Sequence, residues 1–156
     1  MAVTDAPDPV RAVDDPFCPL ASDGTTRGLD HAGVVTLVGE PASSPLDLAG
    51  PALIHGLGDL GDGMLVASLW DVAPDGSSDR IATATCLTGS RDVLALGDLG
   101  TRLRPGHRLE LDLSASRAPA YPVHPGPGRD PWDGEAGPPS THRLRTGGER
   151  GPRLEL

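Results

Sequence analysis

The chain contains no lysine, asparagine or glutamine, so every strongly basic side chain in it is an arginine. Aromatics are also scarce, with two Trp, one Tyr and one Phe in 156 residues. Nucleic-acid binding needs a basic stripe interleaved with stacking rings, and a formal net charge of -9 supplies neither. That function class is excluded from the expectations. No apolar run approaches the roughly 18 residues of a spanning helix. The opening MAVTDAPDPV has neither the basic n-region nor the apolar h-region of a signal peptide. The expectation is a cytoplasmic chain that does not engage a membrane.

Two cysteines, Cys18 and Cys86, lie far apart with no CxxC spacing. They read as separate reduced thiols and not as a disulfide. The five histidines, His31, His55, His107, His124 and His142, show no HExxH or His-x-His spacing. Asp59 and Asp62 lack the acidic density of a calcium loop. No metal and no cofactor is expected. There is no GxSxG, the signature of a serine nucleophile on a strand-to-helix turn, and no catalytic residue is expected either.

What the chain does have is proline, glycine and short β-prone runs. Seventeen Pro and 21 Gly divide it into short elements. Charge is uneven: residues 1–78 carry twelve acids and two Arg, and residues 79–156 carry ten acids and eleven Arg. Residues 1–32 hold Pro7, Pro9, Pro16 and Pro19 and read as a lead-in without regular structure.

From residue 33 onward the β-prone runs are GVVTLVGE (33–40), PLDLAG (45–50), ALIHG (52–56), MLVASLWDV (64–72) and RIATATCLT (80–88). They continue with DVLALGDL (92–99), HRLELDLSAS (107–116), THRLRT (141–146) and PRLEL (152–156). Residues 33–156 are thus expected to form one all-β sandwich of eight to nine short, mostly antiparallel strands. In HRLELDLSAS, Leu109, Leu111 and Leu113 alternate with Arg108, Glu110, Asp112 and Ser114, the pattern of a half-buried strand. RIATATCLT is fairly apolar on both faces and reads as an interior strand. Trp70 is expected in the core, and a turn of helix is conceivable at Gly100–Arg104, closed by Pro105 and Gly106. The PDG at Pro74–Gly76 predicts a hairpin, since proline pre-sets φ and glycine accepts a positive φ.

The residues HGLGDLGDG (55–63) place Gly56, Gly58 and Gly61 at GxGxxG spacing. A phosphate loop needs a helix to leave it, because the pyrophosphate sits on that helix N-terminus. What leaves here is MLVASLWDV, a strand former, so the glycines read as a strand-to-strand connection. The stretch 118–140 holds seven prolines and cannot be a regular element. Its Tyr121 and Trp132 are the candidates for an interface or a ligand loop.

From about residue 5 to the end, the order of these segments resembles the C-terminal domain of the X-Pro dipeptidyl-peptidase and cocaine-esterase (CocE/NonD) type of serine hydrolase. The resemblance is carried by GVVTLVGEPASSPLDLAGPALIHG (33–56), MLVASLWDVAPDG (64–76), RPGHRLELDLSASRAPAYPVHPG (104–126) and the closing THRLRTGGERGPRLEL. It implies a jelly-roll sandwich, similar to galactose-binding folds, packed on an α/β-hydrolase domain that holds the catalytic triad. The residues at matching motif positions are Asp71, Pro74, Asp75, Gly76, Gly106, His107 and Arg108, with structural roles. Two departures stand out: Asp62-Gly63 replaces the family's usual Thr-Asp pair, and the usual Asn residues after the Ser-rich strand are missing. The resemblance implies a non-catalytic accessory domain whose partner is an α/β-hydrolase domain or subunit, or a second copy through self-association. A free-standing carbohydrate or small-ligand module is the alternative.

Overall fold

The computed structural model describes residues 34–57, 63–87, 93–114, 121, 129–130 and 152–156. The lead-in, Cys18, Gly58, Asp59, Gly61, Asp62, THRLRT and Trp132 lie outside the described residues. So do His31, His124 and His142. No helix occurs among the described residues, and none is therefore long and apolar enough to cross a membrane.

Among the described residues there are seven strands: β1 (Val34–Val38), β2 (Leu46–His55), β3 (Met64–Val72), β4 (Ser78–Leu87), β5 (Val93–Leu103), β6 (Arg108–Ser114) and β7 (Arg153–Glu155). They form a four-stranded sheet in the order β1-β6-β3-β4 and a three-stranded sheet in the order β5-β2-β7, with every pairing antiparallel. The architecture is an all-β sandwich. Its core lies between the sheets: Val35 and Leu37, Leu65, Ala67 and Leu69, and Leu109, Leu111 and Leu113 from one side meet Leu48, Ala52, Ile54, Leu94, Leu96, Leu99 and Leu103 from the other. Within each strand these residues follow a period of two, broken on β5 where the register shifts at Leu96, and that period is what aims the side chains inward.

Several expectations need correction. PLDLAG and ALIHG are one strand, β2, and Pro51 lies inside it. Along that stretch β2 pairs with β5 on one side, while β7 joins it only at Leu53–His55. A proline without an N–H is tolerated where one side of the strand has no ladder to fill. Gly50 there has φ +112. The conceivable helical turn at Gly100–Arg104 is not formed, because β5 runs on through Leu103. The chain then reverses over Arg104–His107, where the His107 N–H donates to the Arg104 carbonyl at 3.1 Å. Pro105 and Gly106 end the element as expected, and Gly106 has φ +81.

RIATATCLT is not interior. Among the described residues its strand, β4, is at the edge of the sheet, and the strands of that sheet with neighbours on both sides are β3 and β6. A bulge between Leu69 and Trp70 leaves Ile81 unmatched, and Ile81, Ala82 and Ala84 all pack against the core. The expectation of a half-buried β6 is also overturned: Glu110, Asp112 and Ser114 are 4%, 2% and 1% exposed. Both faces of that strand are interior. Trp70 is buried, but it is on the face of β3 opposite Leu65, Ala67 and Leu69, outside the main core. Around Gly56 the connection runs from β2 to β3, strand to strand and from one sheet to the other. Gly56 has φ +73, and the next element among the described residues is the strand β3, which offers no helix N-terminus to a phosphate.

Candidate functional site

At one end of the sandwich the two turns at the motif positions meet. The β3–β4 hairpin is closed by Ala73 N–H to the Ser77 carbonyl at 2.8 Å and Gly76 N–H to the Ala73 carbonyl at 3.0 Å. Asp75 Oδ1 accepts from the Ser77 N–H at 2.9 Å and from its hydroxyl at 2.6 Å. Those two bonds, the hydroxyl's first, hold the Asp75 carboxyl below its ordinary value of 3.8. Gly76, with φ +86, supplies the left-handed position the turn requires. The second turn, Arg104–His107, is tied to the chain after β1 by Ala42 N–H to the His107 carbonyl and Gly106 N–H to the Ala42 carbonyl. A Cβ on Gly106 would lie 3.2 Å from Pro74 Cγ, so the two turns touch.

Beneath these turns His107 Nδ1 lies 2.7 Å from Asp71 Oδ1, with both side chains less than a fifth exposed. Asp71 and His107 continue the inward-facing rows of β3 and β6 past Leu69 and Leu109, so a polar pair closes the apolar core at this end. The structure thus brings together Asp71, Pro74, Asp75, Gly76, Gly106 and His107. Arg108 is turned away: its Nε donates to Glu110 Oε1 at 2.6 Å on the opposite face of β6. Tyr121 is a half-buried residue in a β-bridge and is not among the residues lining the cleft beside this cluster.

The Asp71–His107 pair lies at a cleft of about 340 Å³ between the edge strands β4 and β5. Its walls include Asp79 and Arg80 from β4, Asp98 and Thr101 from β5, and Arg104. Arg102 also borders it, held by Asp47 on β2 through Nε to Oδ1 at 2.5 Å and Nη2 to Oδ2 at 2.9 Å. The Arg102 guanidinium in turn draws the Asp47 carboxyl below 3.8. Among the described residues no Phe, Tyr or Trp borders the cleft. Among the described residues no group of three His, Cys, Asp or Glu could hold a metal ion.

Sequence reasoning missed two features. One is this cleft, because Arg80, Asp98 and Arg104 look like ordinary surface charges until two sheet edges bring them together. The other is a polar row on the outer face of the four-stranded sheet. Thr36, Asp112, Ser68 and Thr83 are cross-strand neighbours along β1, β6, β3 and β4. Thr36 Oγ1 donates to Asp112 Oδ1 at 2.7 Å, and the Ser68 and Thr83 hydroxyls are 3.0 Å apart. Ser68 sits between Val66 and Trp70 on its face of β3, so its own strand does not announce a polar row. Only the register aligns them.

A second, apolar groove of about 240 Å³ is lined by Ala42, Leu46, Leu103, Leu109, Leu154 and Leu156 among others. Leu46 and Leu156 there are about half exposed.

No protein-family model and no curated protein sequence matches the chain. Solved structures of similar fold do. An aminopeptidase from a marine sediment archaeon, Thaumarchaeota archaeon, superposes with a TM-score of 0.61 at 18% identity, over 81% of this chain and 26% of its own. An alpha-amino acid ester hydrolase gives 0.63 at 22% identity, over 85% of this chain and 26% of its own. A CocE/NonD family hydrolase from Staphylococcus aureus gives 0.50 at 13%, over 78% and 30%. The chain therefore has the fold of one part of hydrolases of this kind, spanning 26% to 30% of their lengths.

Proposed function

We propose that the chain is a non-catalytic β-sandwich unit of a serine hydrolase of the X-Pro dipeptidyl-peptidase or acyl-esterase type, packing on an α/β-hydrolase domain or subunit. The observation that carries this reading is the asymmetry of the structural matches: most of this chain superposes on about a quarter of a hydrolase. Its motif residues act as structure. Asp71 and His107 seal the end of the core, and Pro74, Gly76 and Gly106 shape the two turns above them.

The apolar groove supports a covered face. Leu46 and Leu156 leave hydrocarbon in water beside Leu103, Leu109 and Leu154, an arrangement that favours burial against a partner. The sandwich would contribute a rigid wall beside the partner's active site, and the carboxylate, imidazole and guanidinium groups described above would take no part in bond cleavage.

The test is an assay of the purified chain against an acyl ester, an aminoacyl anilide and an Xaa-Pro anilide. No turnover above buffer is expected. Turnover that disappears on substitution of a serine of this chain would overturn the reading. So would the failure of a chimera in which this chain replaces the matching part of the alpha-amino acid ester hydrolase to give folded protein, since a shared packing role requires a compatible surface.

A further inference from the structure

The outer faces of the two sheets differ in exposure. On β3 and β6 the outward side chains Val66, Trp70, Asp112 and Ser114 are withdrawn from solvent. On the three-stranded sheet β2 turns Ala49, Pro51 and Leu53 away from the core, directly opposite Gly100, Asp98 and Ala95 of β5. Leu53 is half-buried and the other five are exposed. Paired charge is kept to the two ends of this face. Asp47 and Arg102 are paired at one end, and at the other His55 Nε2 lies 2.7 Å from Glu155 Oε2. An apolar centre between charged ends is the layout of a protein–protein contact, with a core that loses water and a rim that keeps it. Asp98 departs from that layout: it is an exposed carboxylate within the centre, with no ion-pair partner among the described residues.

On the hydrolase reading given above, on which this inference rests, a unit of this fold has an α/β domain beside it. Of the two broad faces, that of the four-stranded sheet is already withdrawn from solvent along its central strands, so the three-stranded sheet offers the wider open surface. The size of the face bears on its occupant. Ten residues of β2 at about 3.3 Å each, beside neighbours about 4.8 Å away, give a footprint of about 400–500 Å². That is short of the roughly 800 Å² per partner typical of a stable complex between free molecules, such as two copies of this chain. It suits a domain that also reaches the apolar groove, which begins at Leu46, next to Asp47. Charge narrows the chemistry further: covering Asp98 with a wholly apolar surface would bury an unpaired carboxylate, which opposes docking unless the incoming surface brings a cation.

We propose that the outer face of the β5-β2-β7 sheet is the surface on which the α/β-hydrolase partner packs, with apolar side chains over Ala49, Leu53 and Ala95 and an arginine or lysine opposite Asp98.

The experiment places a photoreactive diazirine residue at Ala49 or at Ala95 of the full chain in its native cells and maps the crosslinked peptides by mass spectrometry. The same residue at Leu156, in the groove, and at Leu87, an exposed position on the outer side of the other sheet, serves for comparison. Adducts from Ala49 and Ala95 to an α/β-hydrolase domain carrying GxSxG, in the same or another polypeptide, are expected. Hydrolase adducts from Leu156 or Leu87 with none from Ala49 and Ala95 would overturn this proposal and leave the hydrolase reading standing. No hydrolase adduct from any of the four positions would overturn both. Adducts of the face to a second copy of this chain, or to a protein of another kind, would overturn the choice of partner. Ala95→Arg and Asp98→Lys, both at exposed positions, should keep the thermal midpoint of the chain and lower the hydrolase adduct from Ala49 at least about tenfold. An unchanged yield in either variant would overturn the proposal.

Discussion

On β3 and β6, the central strands of the four-stranded sheet, both faces are buried, and they are built from opposite chemistry. The inner face presents Val35, Leu37, Leu65, Ala67, Leu69, Leu109, Leu111 and Leu113 to the second sheet. The outer face has Thr36, Ser68, Glu110, Asp112 and Ser114 beside Val66 and Trp70. Inside, stability comes from removing hydrocarbon from water, which needs volume but no particular partner. Outside, each polar group must find a hydrogen bond or lose its hydration for nothing. The same strand, β6, therefore obeys packing rules on one side and satisfaction rules on the other. Alternation of apolar and polar residues marks which face is which, but does not mark which face is wet.

Substitutions on β6 put this difference to the test. Leu111→Ala removes a fully buried side chain from the inner face and should cost about 2–5 kcal/mol, read as a lower denaturant midpoint with an unchanged slope. A loss under about 1 kcal/mol would mean the two sheets are not close-packed there.

Asp112→Ala tests the outer face. It leaves the Thr36 hydroxyl without its acceptor and should cost about 1–3 kcal/mol. A double-mutant cycle with Thr36→Val isolates that bond, with an expected coupling of about 1 kcal/mol. If Asp112→Ala were neutral, the outer face would be behaving as solvent-facing surface, and the comparison would fail.

The smallest effect is expected at the exposed Asp47–Arg102 pair, where solvent screens the interaction. Arg102→Ala should move the thermal midpoint little, and the sign of its pH dependence is fixed. Asp47 has its folded pKa lowered by the Arg102 hydrogen bond. The contribution of the pair is therefore fully present above the unfolded value and is lost as pH falls through the folded one. Any difference between the parent and Arg102→Ala should be present at neutral pH and vanish in acid well below 3.8. A difference that grew on acidification would contradict the assignment.

Much of the fold was legible because it rests on local chemistry. Every described strand contains or overlaps a β-prone run, and the PDG turn forms where Pro74 and Gly76 set the backbone. The errors share a cause. Pro51 read as a break between two strands because a missing N–H matters only where a ladder needs it, and the sequence does not say which strand edges are free. Gly100–Arg104 read as a possible turn of helix because Pro105 and Gly106 mark an end without naming the element they end. β4 read as interior because apolar residues on both faces also suit an edge strand that bulges at Ile81.

The candidate site divides in the same way. The family resemblance pointed to Asp71, His107 and the two turns, and the structure brings those residues together. Trp132, proposed for a ligand loop, lies outside the described residues, and Tyr121 does not border the cleft. Arg80, Asp98 and Arg104 carried no signal at all, since nothing in their local sequence distinguishes them from other surface charges.

By itself the sequence determined that this chain would be strands and turns, which residues alternate, and where the chain must reverse, because dihedral preference and side-chain periodicity are properties of neighbours along the chain. Only the tertiary structure decided which edges are free, that both faces of β6 are buried, and that charges from β4 and β5 share one cleft. Those facts depend on register and on the stacking of two sheets, which are set by residues far apart in sequence acting together.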